Sequence, residues 1–156
     1  MRITTFLKRE CIIEELKATT KEAALTELAS ILTRTGSTDD RDAMVKVLMA
    51  RERLGSTGIG DGIAIPHGKI GGIADLMIGI GRSSKGVDFN ALDGKPVHLF
   101  FLLMAPENSS GQHLKVLARI SRLLKDNVLR NNLMEAGSPD ELFNLLVEKD
   151  DLIGLT

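Results

Sequence analysis

The apolar positions of this chain change period twice along its length. From residue 19 they recur at helical spacing: Thr19-Thr20-Lys21-Glu22 has the form of a capping box with Thr19 at the N-cap, and Ala23, Ala24, Leu25, Leu28, Ile31 and Leu32 follow before Gly36. A second helix is predicted from Asp39 or Asp40, with Ala43, Val47, Leu48 and Leu54 on its apolar stripe and Gly55 at its end. The pattern then becomes strand-like over residues 63–65, 76–81, a short piece at 87–89, and 97–104, and Cys11-Ile12-Ile13 gives a further short strand near the start. The run from Leu99 to Met104 is apolar at every position, which predicts a central strand covered on both faces. Asp93-Gly94 has the composition of a hairpin turn.

Helical spacing returns after Ser109. His113, Leu114, Leu117, Ile120, Leu123 and Leu124 mark one helix, and Val128, Leu129, Leu133 and Met134 a second. Ser138-Pro139-Asp140-Glu141 opens a third, with a serine N-cap, proline in the first helical position and a capping-box glutamate ahead of Leu142, Phe143, Leu145 and Leu146. Helices on either side of a block of strands predict an α/β fold, a three-layer α/β/α sandwich with a central mixed sheet, in one domain over residues 1–156.

Composition narrows the function. The 156 residues carry a net charge of −1, with no basic run, no Trp and no Tyr, so a nucleic-acid partner is not expected. The longest apolar run, residues 99–105, is too short to span a bilayer, and the amino-terminal residues lack the apolar core of a signal peptide. A single cysteine, Cys11, permits no internal disulfide, which fits a reducing, cytoplasmic setting. Met44, Met49, Met77, Met104 and Met134 read as core filler.

The chemistry concentrates between residues 51 and 69. Gly55, Gly58, Gly60 and Gly62 lead through Ile63-Ala64-Ile65 into Pro66-His67-Gly68. Glycines free the backbone to approach a ligand, and successive N–H groups suit an anion. Pro66 extends the residue before it, so His67 is expected at the rim of a strand. His67 could be a turn histidine, or a nucleophile if it is neutral and an acceptor fixes its tautomer. Ser56 and Thr57 are better hydrogen-bond donors to an anion than nucleophiles, since no Ser-His-acid order can be built around them. Arg51, in the last turn of the second helix, is either solvated or a phosphate clamp. His113, in the first turn of a helix, would ordinarily be solvated, and His98 is structural or at the sheet rim. The glycine spacing matches neither the dinucleotide fingerprint nor a P-loop, and the spacing of the three histidines matches no zinc site; neither cofactor nor metal is expected.

The stretch from Arg51 to Lys69 resembles the signature of the IIA domains of the bacterial phosphoenolpyruvate-dependent phosphotransferase system, mannitol–fructose class, and is most similar to its nitrogen-regulatory branch. The resemblance extends through residues 89–97, Ala105-Pro106 and Gln112-His113-Leu114. It implies that His67 accepts a phosphoryl group from a phosphohistidine carrier of the HPr type or its nitrogen-branch relative. It also implies that His113 supports the phosphorylated histidine and that Arg51 lies beside the phosphate. Ser56, Thr57, Gly58, Gly60 and Gly62 would form the phosphate-binding loop. The implied recipients are regulated partner proteins or, in a sugar-transport role, a IIB domain. A binding module without phosphotransfer is a third reading, opposed by the presence of His67, Arg51 and His113. Two residues depart from the family pattern: Asp61, often Asn, which would set a negative charge near the phosphate, and His98, at a position where an acid is common.

Overall fold

The computed structural model describes residues 2–35 and 40–154. After a short 3-10 turn at Ile3–Thr5, the chain forms β1 (Leu7–Ile13), α1 (Lys21–Thr33), α2 (Arg41–Arg53), β2 (Gly58–Gly60), β3 (Ile63–Ala64), β4 (His67–Ile70), β5 (Met77–Val87), β6 (Val97–Pro106), α3 (Ser110–Leu123), α4 (Asn127–Glu135) and α5 (Pro139–Gly154). The strands make one mixed sheet in the order β1-β5-β6-β3-β2. β1 runs parallel to β5 and β5 antiparallel to β6. Along the other side of β6 lie β3 and then β4, both parallel to it, with Ile63 opposite Leu99 and His67 opposite Leu103. β2 folds back antiparallel on β3.

β6 explains the layering. Its side chains alternate between two cores, as period-2 geometry requires. Leu99, Phe101, Leu103 and Ala105 pack with Val116, Ile120 and Leu123 of α3, Leu129 and Leu133 of α4, and Leu142 and Leu146 of α5. Phe100, Leu102 and Met104 pack with Leu25, Leu28 and Leu32 of α1 and Met44 and Leu48 of α2. The chain is therefore an α/β/α sandwich with two helices on one face and three on the other, and the all-apolar run is the central strand that its composition predicts.

Several boundaries differ from the sequence reading, each for a local reason. The N-cap of α1 is Thr20, whose side chain accepts from the Ala23 amide at 3.3 Å, so the box anchored on Thr19 does not form. Asp40 caps α2 through the Ala43 amide, while Gly36 and Asp39 lie outside the described residues. Leu54 is the C-cap of α2 and is 84% exposed rather than on the buried stripe. Leu114 and Val128 are also exposed. At α5 the expected start holds: Ser138 Oγ accepts from the Glu141 amide at 3.1 Å, while the Glu141 carboxylate reaches back to the Gly137 amide at 2.8 Å. Asp93-Gly94 makes a turn closed by Gly94 N–H to Ala91 C=O, but inside the longer 88–96 connection between β5 and β6. β2 and β4 have too few residues to show a period, and β1 and β5 run longer than predicted.

Candidate functional site

The site begins where β3 gives way to β4. Pro66 has no N–H to offer the ladder, and the chain resumes pairing with β6 at His67, the first residue of β4. The Leu103 amide meets the Pro66 carbonyl at 2.9 Å, which pins this break to the centre of the sheet. His67 is half-buried, and its ring Nδ1 lies 2.8 Å from the Ile65 carbonyl. A carbonyl only accepts, so Nδ1 carries the hydrogen and the neutral ring presents a free lone pair at Nε2. Burial lowers the pKa of His67 below the ordinary value; the nearby Arg51 charge acts the same way, against the Ile65 bond and Glu52, which raise it. A neutral, tautomer-fixed imidazole is a nucleophile.

His113 comes to the same place from the opposite layer. α3 starts just beyond Pro106, where β4 and β6 end side by side, and its first turn carries His113 onto His67. The two rings meet edge to face with centroids 5.5 Å apart and an interplanar angle of 85°. His113 is buried, and its Nδ1 has no hydrogen-bond partner among the described residues. Burial first, then the charges of His67 and Lys69, hold its pKa down at about 4, so it is neutral at physiological pH. Lys69 shares the strand face of His67, two residues on, and its Nζ donates to Ser110 Oγ at 2.5 Å in the first turn of α3.

α2 brings in Arg51. A Cβ on Gly68 would stand 2.5 Å from Val47 Cγ1, so glycine is what lets α2 lie this close to β4. Arg51 is one helical turn beyond Val47, and its Nη1 donates to the Gly55 carbonyl at 2.9 Å, which leaves most of the guanidinium fork uncommitted. Glu52, beside it, is buried. Its carboxylate accepts from the Thr57 amide at 3.2 Å, from the Thr57 hydroxyl, and from Lys21 Nζ at 3.0 Å. Positions 44, 48 and 52 form one buried stripe of α2, so a carboxylate at 52 was legible as a group that must find partners inside.

The glycine-rich segment divides in two. Ile65 N–H bonds to Thr57 C=O, so the start of the segment lies alongside the residues that lead to His67. Ser56 Oγ accepts from the Gly58 amide at 3.0 Å and donates to the Phe89 carbonyl at 2.9 Å. Thr57 is buried and held by Glu52. Gly58 is pressed against Ala91, 2.8 Å from where a Cβ would be. Gly60 and Gly62 belong instead to the β2–β3 hairpin, whose turn residues Asp61 and Gly62 both have positive φ. Ile63 pairs four positions before His67 along β6, about 13 Å at the rise of a strand. The structure therefore does not bring Gly60, Gly62 or Asp61 to the histidine pair, and the acid at 61 is not beside it. His98 is near Gly62 at that same far end, its Nδ1 donating to the Ser83 carbonyl at 2.8 Å.

The family model described as phosphoenolpyruvate-dependent sugar phosphotransferase system, EIIA 2, matches residues 5–149, and the chain belongs to that family. It is 39% identical over 146 residues to a nitrogen regulatory protein of Bradyrhizobium diazoefficiens, covering 94% of this chain and 95% of that one. It is 38% identical over 150 residues to the fructose-specific EIIABC component of Bacillus subtilis, of which it covers 24% against 96% of itself, so it spans about a quarter of that relative. The crystal structure of the nitrogen regulatory protein IIA-Ntr from Neisseria meningitidis superposes with a TM-score of 0.86 at 35% identity, over 92% of this chain and 98% of that one. Among the described residues no helix is long and apolar enough to cross a membrane, and no group of three or more His, Cys, Asp or Glu could hold a metal.

Proposed function

We propose that His67 is the phosphoryl acceptor of this EIIA domain. The observation that carries the reading is the 2.8 Å contact of its Nδ1 with the Ile65 carbonyl, which leaves Nε2 as the attacking atom. The donor is a phosphohistidine carrier of the HPr or nitrogen-branch type. As Nε2 bonds to phosphorus, the phosphorus–nitrogen bond to the carrier's histidine breaks, so the number of such bonds is unchanged and the protein's task is to align the groups and offset charge. Arg51 supplies a positive charge from a guanidinium anchored on Gly55. His113, neutral and edge-on to the acceptor, supports the phosphorylated ring. The domain acts as one IIA unit in the cytoplasm.

The phosphorylation state of His67 then regulates partner proteins, a reading supported by the likeness over nearly full length to nitrogen regulatory proteins. A second reading, transfer onward to a IIB domain during sugar uptake, is favoured by the match to the fructose-specific EIIABC component. Intact-mass analysis after incubation with phosphoenolpyruvate, Enzyme I and HPr tests the acceptor: one acid-labile phosphoryl group is expected on the protein and none on His67→Ala. Labelling of that variant would remove His67 from the mechanism. Rapid transfer to a fructose-type IIB protein would move the assignment to the sugar branch.

A further inference from the structure

At the far end of β6 from the histidine pair, the β2–β3 hairpin tip and the first residues of β6 face one side of α4 across a cavity of about 220 Å³. Asp61 and His98 both line it. So do Asn127, Arg130, Asn131 and Met134, which fall at i, i+3, i+4 and i+7 and so make up one face of α4. Two of its side chains, Arg130 and His98, are held by hydrogen bonds. Arg130 donates from Nη1 to the Leu124 carbonyl at 2.5 Å and from Nη2 to Asn127 Oδ1 at 3.2 Å, so the guanidinium is held in place with N–H groups to spare. The His98 ring is tied to Ser83 through Nδ1 and lies against Gly86, where a Cβ would meet Cε1 at 2.9 Å. Asp61 is set by its left-handed backbone (φ 57°) and by its amide, which donates to Asp93 Oδ2 at 3.2 Å.

Asp61 and Arg130 carry opposite charges, line the same space, and form no ion pair with each other among the described residues. A simple anion on Arg130 would be opposed by Asp61, and a simple cation on Asp61 would be opposed by Arg130. A molecule with both charges a few bonds apart meets both walls. The volume lies below the roughly 300 Å³ at which pockets for larger ligands begin, which suits a small molecule. We propose that this cavity binds a free α-amino acid, with its carboxylate on Arg130, its ammonium on Asp61, and its side chain against Met134 and the Asn131 carboxamide. The site is separate from His67 and its occupancy does not depend on the carrier reading.

The test is ¹H–¹⁵N NMR of the full chain titrated to about 10 mM with L-alanine, L-glutamine and L-methionine, with acetate and ethylamine as single-charge probes. Saturable shifts of the Gly62, Leu99 and Asn131 amides are expected with at least one amino acid, and equally in His67→Ala. Acetate and ethylamine should bind at least about tenfold more weakly. Asp61→Asn, which keeps a residue tolerant of left-handed backbone, and Arg130→Lys should each weaken amino-acid binding by about tenfold or more. No saturable shift with any of the amino acids, acetate binding as tightly as they do, or unchanged affinity in Asp61→Asn would each overturn the proposal.

Discussion

The ring of His113 stands edge-on to the ring of His67, 5.5 Å between centroids, although one histidine opens a strand and the other sits in the first turn of a helix from the opposite layer. Neither has a carboxylate partner in the described ion pairs, and burial keeps both neutral. The pair therefore carries no positive charge at physiological pH.

That neutrality predicts a pH effect on stability. Both histidines have folded pKa values below the ordinary 6.5, His113 at about 4. Between those values the unfolded chain binds more protons than the folded one, so stability rises with pH there. The His113 contribution is complete above about pH 6.5, is lost as pH falls, and levels off below about 4; that of His67 is lost in the same direction. The His113 part amounts to at most about 3 kcal/mol. Urea unfolding across this range should show a smaller loss on acidification for His113→Phe than for the parent chain. Equal losses would mean that His113 is not held neutral by the fold.

The contact of Gly68 with Val47 sets the distance between β4 and α2. A Gly68→Ala methyl would meet Val47 Cγ1 at 2.5 Å, so the helix must shift. Overpacking of this kind destabilises by about 1–3 kcal/mol. Because Arg51 follows Val47 by one turn, phosphoryl transfer should slow as well. Val47→Ala in the same chain should restore most of both, and a double-mutant cycle of denaturant midpoints and transfer rates measures the coupling. Additive effects would show that the close approach does not position the helix.

Glu52 links three segments: α2 through its own backbone, α1 through Lys21, and the connection ahead of β2 through Thr57. Glu52→Ala leaves Lys21, only 17% exposed, without its counter-charge, and should cost about 3–5 kcal/mol. Glu52→Gln keeps an acceptor for Thr57 and should cost less, about 1–3 kcal/mol. Denaturant melts of these two and of Lys21→Met with Glu52→Gln decide it: the double variant should lose less than the sum of its single changes.

The helices and the central strand were legible because their signals are long and periodic, as in the serine start of α5 and the unbroken apolar run of β6, although the buried stripe of α2 runs through Met44, Leu48 and Glu52 and shares only Leu48 with the one read from the sequence. β2 and β4 were not, since strands of three and four residues in a glycine-rich sequence carry no usable alternation. In the site, Pro66 before His67 was enough to place that histidine at a strand rim. His113 was legible from its own residues only as a polar group in a first turn; that it points inward depends on α3 beginning where β4 and β6 end together, a tertiary fact. The glycines were misleading in a physical way. Gly60 and Gly62 are there to turn a hairpin with positive φ, and Gly68 to admit a helix, so glycine density marked tight backbone rather than a single anion cradle.

The pairing of β4 has a temporal meaning. His67 is aligned by Leu103, a residue made long after it, on a strand that also pairs antiparallel with β5. A chain emerging from the ribosome carries the His67 imidazole for many residues before the strand beside which it sits has been made. Parallel pairings of this separation close slowly. On the proposed reading of His67 as acceptor, its place in the sheet is complete only once Leu103 has joined it, so the modification would mark finished molecules and pass over incomplete ones.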